Sequence, residues 1–529
     1  MKKCISFLLI IFCCFFILPN DVWAKEFKQI NQTTKNEFLD FSSKDLNYSN
    51  SYKLDNGDYL VAGPSSLSRV SNKGNIIWTH PVNDLFYDIT VIGDYVYLSG
   101  IANPILKIKI ADGVVVKEGD ESVGYKLVDD GNNIYSIFDN YVLKFDKNVN
   151  VLDEYDCSTD IEDEQRSYNY SITIDDNYIY VINLVGTPYE YEYTDNNGNP
   201  HSTTRYNYVS RIIKFDKNLN KKEIMSINNY NLEEIGFMRR SKLGLSTGSF
   251  FNDNSGNLYL VDSCILKMDK HGNVEVLYNP IPGGAPDTLS TYKYYTAGTI
   301  VGNYLVVGGL KIIKSGGTIL GSTFAGLPTT KAVGTVMRSM SPIVDVYDLN
   351  NNLIESHELK SKNEFDNAFD IDNITKTSND GFLVKWVSSY YNDGKRKETR
   401  VLNQESALNI ASLNVTEFGK VAKVKVNVKG LGKVKIVNGD CACGEEVELV
   451  TTPENGYYLR NLVVRDADGK KITVKDNKFV MPCNGDVTVD AQFRKIVNPE
   501  TSSIIVIAIL LGFMIVGSTI IARRKVRHE

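Results

Sequence analysis

Histidine, cysteine and acidic side chains carry most enzyme and metal chemistry, so they are the first residues to place in this 529-residue chain. Four histidines precede the C-terminal tail, and they are His80, His201, His271 and His357. No two of them stand at the spacing of a zinc site. No phosphate-binding loop or dinucleotide fingerprint occurs. We therefore predict no catalytic residue, no metal and no cofactor. Acids that meet only in a folded funnel would escape this search.

Three acidic segments place oxygen ligands at alternate positions, as calcium sites do. They begin at Asp146, Asp216 and Asp348, and each continues as Asp-x-Asn-x-Asn. All three lack the central glycine and the glutamate at position twelve of a calcium loop. Asp and Asn also favour tight reversals of the chain. We interpret the segments as hairpin turns.

A tyrosine-rich stretch from Thr187 to Val209 is the best candidate for ligand binding. Its tyrosines are Tyr189, Tyr191, Tyr193, Tyr206 and Tyr208. Exposed tyrosine offers a large rigid surface with a polar tip, which suits glycan or protein partners. The alternative is that these rings pack a long hairpin on itself.

The elements that must position these residues are β-strands throughout residues 26–411. Short runs rich in Tyr, Val, Ile and Leu alternate with Asn, Asp and Gly turns. A turn followed by a Tyr/Val/Leu strand occurs in seven copies. It alternates with a strand that ends in a basic residue and a turn, as in Lys144-Phe145-Asp146-Lys147-Asn148. Each repeat therefore holds about four short strands, which is typical of propeller blades.

These repeats resemble those of PQQ-like and related bacterial β-propellers. The resemblance implies a mainly β fold with seven blades, or eight as the alternative. Two repeats are longer than the rest, and we interpret the excess as loops inserted at 187–209 and around 317–340. The resemblance to these propellers implies an architecture and no particular ligand.

Residues 412–495 have a different character. Val424, Val426 and Val428 alternate with polar positions that are mostly lysine, as in a half-buried strand. The order of motifs up to Phe493 resembles the bacterial repeat module related to the internalin B-repeat, a small β-grasp-like domain. Its lysine face either meets an anionic wall polymer or guards an edge strand against aggregation, and we favour the guard.

Five cysteines remain once the N-terminal segment is set aside, too few for a disulfide scaffold. Three of them lie in the small module, at Cys441, Cys443 and Cys483. Cys441 or Cys443 pairing with Cys483 is the disulfide we predict for an oxidising compartment.

The N-terminus predicts export. Met1-Lys2-Lys3 is basic, the run from Ile5 to Pro19 is apolar, and Val22-Trp23-Ala24 offers a compact cleavage site. These are the three parts of a secretory signal, which we assign to residues 1–24.

The C-terminus predicts a membrane anchor. Residues 504–522 form an uncharged run of bilayer-spanning length, and the basic tail 523–529 follows. Positive charge stays on the cytoplasmic side, so residues 25–503 are expected outside the cell.

The linker at 496–503 contains Asn498-Pro499-Glu500-Thr501-Ser502. With the span and basic tail, it resembles the sorting signal of Gram-positive surface proteins, in which a sortase joins the threonine to the cell wall. Asn498, Pro499 and Thr501 match that motif, whereas Asn498 and Ser502 replace its commonest residues. Wall attachment and a plain single-pass anchor both remain open.

The charge balance excludes one class of partner. The formal net charge is −6, to which the signal contributes +1 and residues 504–529 contribute +3, so the ectodomain carries −10. An acidic ectodomain argues against nucleic acid, since phosphate contacts need clusters of Lys and Arg. We expect a cell-surface binding or adhesion protein that recognises an extracellular glycan or protein through propeller loops. The alternative is an envelope hydrolase, or another enzyme, with its site in the axial funnel.

Overall fold

The computed structural model describes most of the chain between Glu26 and Ile496. The described ranges are 26–37, 51–62, 66–82, 86–100, 103–123, 126–195, 198–226, 249–253, 255–262, 264–278, 291–315, 323–324, 327–328, 336–360, 367–378, 380–390, 410–438 and 441–496. The predicted signal, the sorting motif and the predicted span therefore lie outside the described residues. Within those ranges, no helix combines the length and the apolar character needed to cross a membrane.

The chain forms two compact units. The first comprises Gln29–Phe418 and the second comprises Gly419 onward together with Lys28 and the residues just before it. Almost everything described is β-strand, and one short 3-10 helix lies at Cys157–Asp160.

Among the described residues of the first unit, seven four-stranded sheets, named I to VII, follow one another along the chain. Sheet I holds β2 (Ser51–Lys53), β3 (Tyr59–Ala62), β4 (Ser66–Val70) and β5 (Ile76–Pro81). Sheet II holds β6 (Phe86–Ile92), β7 (Tyr95–Gly100), β8 (Asn103–Lys109) and β9 (Val115–Val123). Sheet III holds β10 (Lys126–Asp129), β11 (Ile134–Phe138), β12 (Tyr141–Phe145) and β13 (Val151–Asp156). Sheet IV holds β14 (Arg166–Ile174), β15 (Tyr178–Thr194), β16 (Pro200–Asp216) and β17 (Lys221–Ser226).

The remaining sheets follow the same order with two variations. Sheet V holds β18 (Ser249–Asn252), β19 (Leu258–Asp262), β20 (Cys264–Met268) and β21 (Val274–Tyr278). Sheet VI holds β22 (Thr291–Val301), β23 (Tyr304–Ser315), β26 (Val336–Asp348) and β27 (Leu353–Glu358), with the separate pair β24 (Thr323–Phe324) and β25 (Leu327–Pro328) between its middle strands. Sheet VII holds β28 (Asn367–Lys376), β29 (Phe382–Tyr390), β30 (Ile410–Ala422) and, as its fourth strand, the N-terminal β1 (Phe27–Glu37).

Neighbouring sheets pack face to face through apolar side chains. Leu60 of sheet I packs in one cluster with Ile89 of sheet II, and equivalent clusters join sheets II to III, III to IV, IV to V and V to VI. Thr296 of sheet VI donates a hydrogen bond of 2.6 Å to the carbonyl oxygen of Ile371 in sheet VII. Leu413 of sheet VII packs with residues of sheet I. The sheets thus contact one another in cyclic order, a propeller-like arrangement.

The turns between third and fourth strands explain the repeated Asp and Asn. The Oδ1 atom of Asp146 accepts hydrogen bonds from the backbone N–H groups of Asn148 and Asn150, and its Oδ2 accepts one from the Asn150 side chain. Val149 adopts a positive φ of 56° and is buried, so packing offsets the strain of that left-handed conformation. The turn and its β-bulge reverse the chain in the way such hairpins require.

The described residues of the second unit form β-strands joined by turns. One sheet is ordered β31 (Val424–Lys429), β38 (Val487–Lys495), β35 (Tyr457–Arg465) and β36 (Lys471–Ile472). The other is ordered β32 (Gly432–Ile436), β34 (Glu446–Pro453) and β37 (Lys478–Val480), and β33 (Cys441–Ala442) pairs with the end of β30. Val424 and Val426 pack into the core between the sheets, and the lysines that alternate with them are exposed.

One strand, β30, continues from the first unit into the second. Strand β30 crosses the predicted limit at residue 411, and Phe418 is the last residue of the first unit. The sequence analysis also did not predict that β1 supplies the fourth strand of sheet VII. A strand at the far end of the chain has no local signal for its pairing partner.

Candidate functional site

Sheet IV carries a two-stranded projection, which we call the tyrosine hairpin (residues 187–210). Strands β15 and β16 are 17 residues long. Strand β14 pairs with β15 only as far as Gly186, and β17 pairs with β16 only from Arg211 onward. The residues between these points are therefore a ribbon of two strands, whose turn runs from Asp195 to Asn199.

One face of the tyrosine hairpin is a row of rings flanked by Arg205 and His201. Tyr193 lies directly opposite His201, so their side chains share a face with Tyr189 and Tyr191. The rings of Tyr191 and Tyr193 stack at 6.2 Å, and those of Tyr193 and His201 stack at 5.4 Å. The guanidinium of Arg205 lies 3.4 Å from the centre of the Tyr191 ring. Tyr189 and Tyr193 are 38 % and 43 % exposed, which leaves a flat aromatic surface open to a partner.

The other face is more engaged with the protein itself. The ring of Tyr208 packs edge-on against Tyr168 at 5.3 Å and covers Gly186, where a Cβ atom would lie 2.5 Å from it. Arg166 lies over the ring of Tyr206 at 4.5 Å. Glu190 accepts hydrogen bonds from the hydroxyls of Ser202 and Thr204, and these lower the pKa of its carboxyl. The five predicted tyrosines therefore divide into two sets by face.

A central cavity of about 200 Å³ is the second candidate site. The first strands of sheets II to VII line it. Its charged lining groups are Asp88, Lys126 and Lys376. The carboxylate of Asp88 is buried and accepts hydrogen bonds from the backbone N–H groups of Ile89 and Leu127. One carboxylate held by backbone amides is poorly suited to paired acid and base chemistry.

The Asp-x-Asn-x-Asn segments direct their carboxylates inward to their own turns. Asp216 and Asp348 accept hydrogen bonds from their turn amides in the same way as Asp146. The Asn352 side chain and backbone hydrogen bonds lower the pKa of Asp348. Among the described residues no group of three histidine, cysteine or acidic side chains is arranged to hold a metal. The oxygens that would bind calcium are occupied by amide donors.

The cysteines of the second unit lie together. Cys443 and Cys483 form a disulfide, with their Cα atoms 4.6 Å apart. Cys441 is buried, and its thiol donates to the carbonyl oxygen of Asn438 at 3.1 Å. Of the two pairings that the sequence left open, the structure contains the one with Cys443. The sorting residues Asn498, Pro499 and Thr501 lie outside the described residues.

Sequence reasoning missed the polar members of these sites. Arg205 and His201 join the aromatic row only through the register of the hairpin, and Asp88 reaches the cavity only through the packing of sheets. The alternation of residues about the turn at Asp195–Asn199 was the available signal for the first two.

Comparison with known proteins gives one family match and several likenesses of fold. Residues 422–497 match the divergent InlB B-repeat domain. BamB from Moraxella catarrhalis is similar at 10 % identity and a TM-score of 0.34, over 73 % of this chain and 99 % of that chain. The WD40 β-propeller domain of Doa1 is similar at 9 % identity and a TM-score of 0.39, over 73 % and 96 %. No curated protein matches the chain.

Proposed function

We propose that this chain is an envelope-associated binding protein that presents the aromatic face of the tyrosine hairpin to an extracellular glycan or protein. The observation that carries the proposal is the row of exposed Tyr189 and Tyr193 with the half-buried Tyr191 between them, on a ribbon that projects from its sheet. Rigid aromatic side chains offer contact area at low entropic cost. Arg205 and His201 add hydrogen-bond donors at its margin.

The remainder of the proposal concerns architecture and placement. We propose that sheets I to VII are the seven blades of a closed propeller, supported by their cyclic packing and by the fourth strand that β1 contributes. We propose that the signal at 1–24 exports the chain and that residues 504–522 anchor it. The divergent InlB B-repeat match is compatible with display at a bacterial surface.

The alternative, an enzyme in the central cavity, has less support. The lining contains a single acid, Asp88, and its carboxylate already accepts two backbone hydrogen bonds. A general acid and base pair needs two groups with distinct environments facing a common space. The cavity offers serine, threonine and asparagine side chains instead, which suits water or a small polar ligand.

A glycan array probed with the secreted ectodomain tests the binding proposal. We expect selective binding that falls at least about tenfold in Tyr189→Ser/Tyr193→Ser, since each lost aromatic contact in a binding site costs about 1 kcal/mol or more. Tyr458→Ser is the matched control, because Tyr458 is similarly exposed at 46 % but lies in the second unit.

Full retention of glycan binding by the double variant would contradict the placement of the site. Turnover of a cell-wall glycan that is lost in Asp88→Asn and kept in the tyrosine variant would favour the enzyme.

A further inference from the structure

The second unit has two ends of different character. Strands β31 and β38 are parallel, with Lys429 opposite Gln492, so both finish at the same end. Strand β38 is the last described strand, and the chain leaves the unit there at Ile496. We call this the exit end. It also holds the turn Gly430–Leu431 and the segment from Pro453 to Tyr458.

The exit end carries a net positive charge. Its exposed basic side chains are Lys429, Lys433, Arg460, Arg494 and Lys495. Glu454 is the carboxylate that accompanies them among the described residues of this end.

The opposite end has mixed charge. Its exposed or half-buried carboxylates include Glu445, Glu446, Glu448, Asp466, Asp468 and Asp486, and its exposed lysines include Lys423, Lys470 and Lys471. Lys478 forms an ion pair of 2.7 Å with Glu446, and Lys28 forms one of 2.9 Å with Glu445. The unit is thus electrically polarised along the direction of its strands.

Exposed apolar side chains accompany the cations. Leu431 is 49 % exposed, Tyr458 46 % and Val428 40 %. They lie on a rigid support, because Gly430 (φ 89°) and Gly432 pack directly on Phe493. A Cβ atom at Gly430 would lie 2.1 Å from the Phe493 carbonyl oxygen. Apolar and aromatic tips between lysines and arginines are the composition that binds the boundary between lipid headgroups and acyl chains.

The exit end is also close along the chain to the uncharged run. Ile504 lies eight positions after Ile496, and eight steps of extended chain reach at most about 28 Å. If 504–522 spans the bilayer, the part of the unit held nearest to the lipid is therefore the end where the chain leaves it.

We propose that the exit end of the second unit docks on an anionic lipid surface, with Leu431, Val428 and Tyr458 at the interface and the surrounding cations on lipid phosphates. This rests on the proposed membrane anchor and adds to it a second contact that orients the unit. If the lysines only protect an edge strand from aggregation, anionic lipid should not change the exchange of this end. Edge protection and lipid docking can therefore be distinguished by experiment.

The test uses the full chain in lipid nanodiscs of phosphatidylcholine, with and without phosphatidylglycerol. Amide hydrogen exchange is followed by mass spectrometry in peptides that contain 428–433 and 457–460. We expect exchange there to slow at least about tenfold in the anionic discs, and the effect to weaken in high salt. Lys429→Glu/Lys433→Glu should abolish the slowing. Lys470→Glu/Lys471→Glu, with the same change of charge at the opposite end, should keep it.

A second pair of variants tests the apolar contact with the lipid. Leu431→Asp should lose most of the slowing, whereas Val437→Asp should keep it, because Val437 is 53 % exposed but lies at the opposite end. Equal exchange in both kinds of disc, or equal loss in the two charge variants, would overturn the docking. Equal slowing by soluble polyphosphate would assign the surface to a phosphate polymer and overturn the lipid proposal. A chain that does not remain with the discs would overturn the anchor, and the docking with it.

Discussion

At the scale of single residues, tyrosine and lysine side chains join sheet II to sheet III and sheet III to sheet IV. The hydroxyl of Tyr97 in sheet II donates to the carbonyl oxygen of Lys147 in the turn of sheet III at 2.9 Å. Lys107, opposite Tyr97, reaches Asn148 of the same turn at 3.2 Å. Sheet III repeats both contacts toward sheet IV, where Tyr135 donates to Lys217. The basic residue of the sequence repeat therefore has a structural role between sheets.

Replacing Tyr97 by phenylalanine tests that role. We expect a loss of about 1 kcal/mol in the free energy of unfolding at neutral pH, the contribution of one hydrogen bond. Burial raises the pKa of Tyr97 to about 12. A raised pKa contributes stability that is present below the unfolded value near 10 and is lost as pH rises through about 12. Denaturant unfolding between pH 7 and 12 should therefore show a smaller alkaline loss in Tyr97→Phe.

The exposed Tyr189 offers the control for this comparison. Tyr189→Phe should leave the unfolding free energy at neutral pH unchanged, because that ring is 38 % exposed. An equal effect of both substitutions would argue against a specific bond between the sheets.

At the scale of elements, the tyrosine hairpin is separable from the sheet that carries it. Beyond Gly186 its strands pair only with each other among the described residues, and its aromatic row is stacked along one face. The base is different, because Tyr208 packs on Tyr168 and covers Gly186. Binding surface and structural support are therefore adjacent but distinct.

Shortening the hairpin tests this separation. Replacing residues 188–206 by Asn-Gly retains the pair Thr187–Asn207 and closes it with a two-residue turn. We expect the melting temperature to stay within about 3 °C, since few buried contacts are removed. Glycan or protein binding should be lost.

Tyr208→Ala should lower the stability of the sheet and retain binding, the reverse of the result expected for the shortened hairpin. It removes a packed ring at the base, and we expect it to lower the unfolding free energy by about 1–2 kcal/mol. Unfolding of the sheet by the shortened hairpin would show that its rings are structural.

At the scale of the whole molecule, two compact units follow one another along the chain. The first unit supplies the seven sheets and the candidate binding surface, and the last described residue of the second unit, Ile496, lies eight positions before the uncharged run. We propose that this order places the binding surface outside the cell and the second unit next to its anchor.

The two modes of anchoring predict different results for the substitution Thr501→Ala. If a sortase joins this threonine to the wall, Thr501→Ala leaves the full-length chain in the membrane fraction, and fractionation of the envelope followed by mass spectrometry will detect it. If residues 504–522 are a plain anchor, the distribution does not change, because one hydroxyl adds little to a span of 19 apolar residues. Protease added to intact cells should cut the first unit in both cases, and protection of that unit would contradict the extracellular placement.

Much of the fold could be predicted from the sequence because its signals are local. Asp146 and its equivalents mark turns, and alternation marks half-buried strands such as Val424–Lys429. The extended hairpin in sheet IV was predicted as an insertion for the same reason. The partner of β1, the continuation of β30 past residue 411 and the meeting of Arg205 with Tyr191 had no such signal.

The sequence by itself determined the repeated four-stranded units, the position of the small module and the tyrosine-rich ribbon, since turn chemistry and the two-residue period of a strand act over a few residues. Only the tertiary structure decided which tyrosines remain exposed and which carboxylates accept backbone amides. It also decided which end of the second unit collects Lys429, Leu431 and Arg494. Those outcomes depend on strand register and sheet packing, which bring together residues far apart in the chain.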